Sequence, residues 1–143
     1  MIEIYLAGEP IGKGRPRFVK ATGRAFTPER TVRFEDRLSL AAQAAMNGRS
    51  LLEGPLDVHV DIFMSVPASK PKKWKADALA GLIRPTKKPD ADNFAKCLDA
   101  CNLVVWSDDA QIVELRVSKF YSETPAFVAR VKQINERETG AFE

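Results

Sequence analysis

Asp90 and Asp92 stand one residue apart in KKPDADNFAKCLDA, directly after two lysines and a proline. Two carboxylates this close repel each other unless a cation sits between them, and that cation is either a nearby lysine or a metal ion. A second acidic pair, Asp108 and Asp109, follows in WSDDAQ. Carboxylate oxygens converging from both stretches would suit Mg²⁺ or Mn²⁺, hard cations that prefer oxygen ligands. Such an ion activates water and neutralises the charge that builds up when a phosphodiester is cut. Lys96 lies four residues after Asp92, on the same helical face, where its ammonium would serve a phosphate or the developing charge. The remaining inventory is thin: no nucleophilic Ser or Cys triad is visible, and His59 is the only histidine. Metal-assisted hydrolysis is the enzyme chemistry these residue types favour.

Each of these residues also has a plainer reading. Asp90 or Asp92 can cap a helix. Asp92 and Lys96 can form an exposed i,i+4 pair that contributes a few tenths of a kcal/mol. Spacing leaves both readings open, and a D-x-D by itself is weak evidence.

The surrounding charge is organised. The net charge is only +3, but Lys13, Arg15, Arg17, Lys20 and Arg24 form a basic block with no acid inside it. A second block holds Lys70, Lys72, Lys73, Lys75, Arg84, Lys87 and Lys88, interrupted only by Asp77. Basic segments flanking an acidic pair suit a polyanion guided to a carboxylate site, and they equally suit solvated loops. Cys97 and Cys101 share one face of a helix and lack the partners a zinc site needs, so they read as buried free thiols.

The elements that must position these groups follow from periodicity. At 143 residues the chain fits one domain, residues 1–143, and 45% hydrophobic with 29% charged residues is the balance of a folded soluble protein. No apolar run approaches the length of a membrane span. The opening MIEIYLAGEP lacks a charged n-region, so no secretory signal is read and a cytoplasmic protein is expected. Ile2, Ile4 and Leu6 alternate as a first strand, and FVKATGRAF reads as a short hairpin turning at Thr22-Gly23. Thr27-Pro28-Glu29 starts a helix that Asn47-Gly48 ends, with proline at the first helical position. Leu56, Val58, Val60, Ile62 and Met64 share one face of a central strand. The opposite, wetter face carries His59, a surface or dimer-interface residue rather than a ligand. Residues 69–82 form a short basic helix around Trp74, and both Trp74 and Trp106 read as core or rim packing. An amphipathic helix over residues 92–103, about 17 Å long, carries Phe94, Cys97, Leu98 and Cys101 inward. Two strands close the chain, joined as a hairpin through residues 122–125. The expected fold class is α+β, one domain, a mixed β-sheet with helices mainly on one face.

PDADNFAKCLDA followed by WSDDAQI resembles the RusA family of Holliday junction resolvases, whose signature is D-x-D-N-x-x-K, a short helix, then W-x-D-D-x-Q. KGRPRF and the Thr-Pro before the first helix are similar to features common in phage and prophage members. The resemblance implies that Asp90, Asp92 and Asp109 are the catalytic, metal-binding acids and Lys96 the catalytic lysine. Asp108 is then the less favoured ligand, and Asn93 and Gln111 have orienting roles at most. It further implies Mg²⁺-dependent cleavage of four-way DNA junctions by a symmetric homodimer that nicks two opposing strands. Lys13, Arg15, Arg17, Lys87 and Lys88 are the expected DNA-binding residues, with Phe18 near the crossover. The segment 70–88 is longer than in the shortest members, so no DNA contacts are carried onto it. Two other readings remain: a nuclease for forks, flaps or other branched DNA, and a non-catalytic DNA-binding module.

Overall fold

Alternation of apolar and polar residues builds the sheet. The computed structural model describes residues 1–14, 17–26 and 28–134. Strand β1 (Ile2–Ala7) buries Ile2 and Ile4, while β4 (Leu56–Ser65) buries Leu56, Val58, Val60, Ile62 and Met64. With β5 (Ile112–Ser122) and β6 (Ala126–Gln133) they form a four-stranded sheet in the order β1-β6-β4-β5. Strand β6 is antiparallel to β1 and β4, whereas β5 runs parallel to β4, so the sheet is mixed. Strands β2 (Arg17–Val19) and β3 (Arg24–Phe26) form the expected small hairpin around the 20–23 turn.

The expected hairpin between the last two strands does not form. Strand β6 is inserted between β1 and β4, and β5 lies on the far side of β4. The reason is burial. Residues Ala126, Phe127, Val128, Ala129 and Val131 are all buried, and a strand apolar on both faces belongs where neighbours flank it on both edges. Strand β5 carries Glu114, Arg116 and Ser118 and takes the edge instead.

Helices cover one face. Helix α1 (Glu29–Met46) buries Phe34, Leu38, Ala42 and Met46 against β1, with Phe34 edge-on to Phe127 at 5.8 Å. It begins one residue later than expected, because Pro28 occupies the cap position; Thr27 lies outside the described residues. Asn47 (φ 47°) and Gly48 (φ 79°) end it in the left-handed conformation, as their pairing predicts. Helix α2 (Lys72–Leu79) sits over β5, where Trp74 packs at the rim against Tyr121 (5.4 Å). The sheet's other face is apolar where Phe63 stacks on Phe120 (5.6 Å) and polar around Asp57, His59 and Asp61. There Arg130 binds Asp61 (2.7 Å), and His59 lies 3.2 Å from Asp57 at an angle short of a hydrogen bond.

The expected helix over 92–103 is shorter and tighter. An α-helix, α3, covers only Ala91–Ala95, and Lys96–Cys101 continues as a 3-10 helix. The tighter winding stacks residues three apart, which puts Leu98 and Cys101 in one inward row. The helix stops before residue 103 because Asn102 turns extended and its side-chain oxygen accepts a hydrogen bond from the indole N–H of fully buried Trp106 (2.7 Å).

Candidate active site

Asp90 occupies the position before α3 with extended backbone, yet its side chain makes no capping hydrogen bond. The capping reading therefore fails for Asp90. Asp92 stands in the first turn and pairs with Lys96 at 3.8 Å, both well exposed. Phe94 and Cys97 point the other way into the core, so the polar side of this short helix is left facing solvent.

The second acidic motif is built as a turn. Asp108 Oδ1 accepts from the Ala110 N–H (2.9 Å), and Gln111 Oε1 accepts from the backbone of Ser107 (3.0 Å) and Asp108 (3.2 Å). This is a reciprocal capping box around the 3-10 turn Asp109–Gln111. Gln111 also donates to the carbonyls of Leu52 (3.0 Å) and Gly54 (3.1 Å), which pins the turn to the chain entering β4. Asp108 is thus occupied as a cap, and Gln111 orients the turn.

Asp109, the second acid of the motif, faces an unexpected partner. Its carboxyl shares a hydrogen bond with that of Asp99, and a weaker one with Asp108, which together push its pKa up to about 6. The Ala110 N–H, followed by the Asp109 hydrogen bond, holds Asp108 below the usual carboxylate range. Asp99 in turn receives the ammonium of Lys13 at 3.0 Å, and Lys13 also contacts Glu35 at 3.5 Å. Partial burial alone would lower the Lys13 pKa, but the hydrogen bond to Asp99 and the two negative charges raise it. Burial raises the Glu35 carboxyl despite the opposing charge of Lys13.

The Lys13 arm is fastened to α3. The Cys97 thiol donates to the Ile11 carbonyl (3.3 Å), the Lys13 N–H donates to the Asn93 carbonyl (2.9 Å), and the Gly14 N–H donates to Thr31 Oγ1 (3.2 Å). A Cβ on Gly12 would stand 2.5 Å from Pro89 Cβ, so only glycine allows the arm this close. Between the arm, α1 and the 87–89 loop lies a groove of about 520 Å³ lined by Arg30, Lys87 and Lys88, with Pro89 at its edge immediately before Asp90. Lys119 holds this loop by donating to the carbonyls of Lys87 (2.6 Å) and Pro89 (2.9 Å). Burial lowers the Lys119 pKa, opposed by the charge of Asp90.

Among the expected DNA contacts, Lys87 and Lys88 line this groove, whereas Lys13 is engaged with acids. Arg15 and the side chains of Arg17 and Phe18 lie outside the described residues. Sequence reasoning missed Asp99, Glu35, Arg30 and Lys119. Asp99 follows Asp92 and Lys96 at i+7 and i+3 spacing, and Lys119 falls in the same strand alternation as Val113, Leu115 and Val117. Both signals were legible. Cys97 and Cys101 are buried free thiols, as expected, with burial pushing each up to about 12.

The donor set at the site is carboxylate oxygen, the chemistry that hard divalent cations take. Among the described residues, no group of three or more His, Cys, Asp or Glu side chains stands close enough to hold an ion. The close pair is Asp99 with Asp109, and Asp90 and Asp92 remain at the start of α3. No helix among the described residues is long and apolar enough to cross a membrane.

Comparison with known proteins agrees with the two acidic motifs. The family described as Endodeoxyribonuclease RusA matches residues 7–132. The uncharacterised protein YqaN of Bacillus subtilis (strain 168) is 35% identical over 139 residues, covering 94% of this chain and 97% of that protein. With the D-x-D-N-x-x-K and W-x-D-D-x-Q motifs on one mixed α+β domain, the chain belongs to the RusA family of endodeoxyribonucleases.

Proposed function

We propose that this protein is a Mg²⁺-dependent endodeoxyribonuclease that resolves four-way DNA junctions by paired nicks on opposing strands, acting as a homodimer. The observation that carries the reading is the Asp109 carboxyl held against Asp99, with its pKa pushed up to about 6. Two carboxyls in hydrogen-bond reach favour whatever positive charge comes between them, and such perturbed groups concentrate at functional sites. Asp90, Asp92 and Asp109 would hold the ion, with Mn²⁺ as a substitute, and it would supply an activated water and charge neutralisation at the phosphate. The chain's own contribution is placement. Arg30, Lys87 and Lys88 would bind phosphates along the groove that ends at Pro89, delivering the backbone to Asp90. Lys96 would set its ammonium on the scissile phosphate, at the cost of its weak surface pair with Asp92.

A two-fold dimer would present two such sites to the two-fold symmetry of a junction. Val113 and Leu115, 61% and 49% exposed on edge strand β5 just beyond Asp109, offer an apolar patch that supports this assembly.

The test is a synthetic four-way junction, a fork and a linear duplex at matched salt, each with Mg²⁺ and with EDTA. Asp90→Asn keeps the basic groove and removes one oxygen charge, so it should bind the junction normally and leave it uncut. Full cleavage by that variant would end the assignment, and preferential cutting of the fork would move the substrate to other branched DNA.

A further inference from the structure

The motif lysine of KGR was expected to touch DNA, but its surroundings point elsewhere. Its side chain is only 27% exposed and is engaged by Asp99 at 3.0 Å and Glu35 at 3.5 Å. The backbone of the arm is fixed on both sides of it, at Ile11 and Gly14 as well as at Lys13 itself. Glu35 cannot give way easily, because its helix neighbour Phe34 is locked in the core against Phe127. Asp99 is the movable member: it is exposed and near the end of a 3-10 helix. It is also the group that meets the Asp109 carboxyl.

We propose that Lys13 is a positioning residue: together with Glu35 it anchors the Asp99 carboxylate, and through Asp99 it sets where the Asp109 carboxylate stands. This rests on the nuclease reading above. Without the ammonium, Glu35, Asp99 and Asp109 are three acids with no cation among them, and the exposed Asp99 swings outward to relieve the repulsion. Asp109 then loses its hydrogen-bonded neighbour. A displacement near 1 Å at a reacting centre costs on the order of a hundredfold in rate. A lysine that only bound phosphate would behave differently, weakening affinity and lowering the salt slope by about 0.9 per lost contact.

The experiment compares wild type, Lys13→Met, Lys13→Arg, Asp99→Asn and the double variant Lys13→Met/Asp99→Asn. Single-turnover cleavage at saturating junction and junction affinity across a salt series are read for each. Lys13→Met is expected to cut tenfold to a hundredfold more slowly, a loss in the range of roughly a 1 Å misplacement, with affinity and salt slope unchanged. Lys13→Arg should restore most of the rate, and the double variant should be no slower than Asp99→Asn, since the two act in series. Normal cleavage by Lys13→Met with weakened, less salt-sensitive binding would overturn the proposal in favour of a phosphate contact. If Lys13→Met fails to fold, normal cleavage by a folded Asp99→Asn overturns it equally. A second readout needs neither DNA nor metal: the ¹³C signal of the Asp109 side-chain carboxyl should shift in Lys13→Met and return in Lys13→Arg. An unmoved signal refutes the link even if the wild type proves inactive, whereas an inactive wild type with a moving signal refutes only the nuclease reading.

Discussion

Replacing Gly12 by alanine tests whether the arm must lie where the structure has it. The added Cβ would meet Pro89 Cβ at 2.5 Å, Pro89 Cγ at 3.0 Å and Asn93 Cβ at 3.3 Å. Carbon pairs rest at about 3.5–4.0 Å, so the arm and the 87–90 loop must part by about 1 Å. Neither side is soft. The Pro89 carbonyl is held by Lys119 at 2.9 Å, and the Asn93 carbonyl by the Lys13 N–H at 2.9 Å. Overpacking of this kind costs about 1–3 kcal/mol. Urea unfolding followed by tryptophan fluorescence should show that loss, because the indole of Trp106 is fully buried. Junction cleavage should fall at least tenfold, on the order expected when a side chain beside the chemistry shifts by about 1 Å. Gly14→Ala is the control: its nearest contacts are 3.3 Å to Pro28 Cγ and 3.4 Å to Thr31 Oγ1, tight but yielding. A Gly12→Ala protein with wild-type midpoint and rate, or a Gly14→Ala protein damaged more severely, would refute the claim that this contact positions the site.

Asp109→Asn should stabilise the metal-free protein while abolishing cleavage. Asp109 binds its proton more tightly folded (about 6) than its ordinary value of 3.8, so wild-type stability falls as pH rises from about 4 through 6. The variant escapes that fall, and its melting advantage should emerge across this window and persist above it. Because the group is largely exposed the gain should stay under about 1 kcal/mol, and a constant difference from pH 4 to 8 would show that the carboxyl pair is not the source. For the thiols, Ellman's reagent at pH 8 should leave the native protein untouched and react with Cys97 and Cys101 only after unfolding, since burial pushes both up to about 12. Rapid reaction of either in the native state would contradict the packing around α3.

Local features of the fold were legible where a single period governed them. The β4 alternation, the Thr22-Gly23 turn, the Asn47-Gly48 stop and the inward cysteines all follow from residue type and spacing. What depended on competition between distant segments was not. Whether β6 pairs with β5 or slides between β1 and β4 is decided by the apolar faces of four strands together, which no local window contains. The site shows the same division. Asp109 could be picked out within its motif, but the carboxylate beside it comes from another turn, and the lysine that steadies that carboxylate lies 86 residues earlier than Asp99. A periodic reading of residues 92–99 would have shown Asp92, Lys96 and Asp99 in one row. It would not have shown Lys13 or Glu35.

The placement of β6 governs how the protein can come into being. Among the described residues its first and fourth strands have no hydrogen bonds to each other, and the strand that joins them is the last of the described strands to leave the ribosome. A nascent chain that has emerged only through β5 therefore exposes the inner edges of two unconnected strands, and the sheet cannot close until residues 126–133 arrive. Such late, sequence-distant pairing is slow. Shortening the chain before that segment would leave two halves of a sheet with nothing to join them.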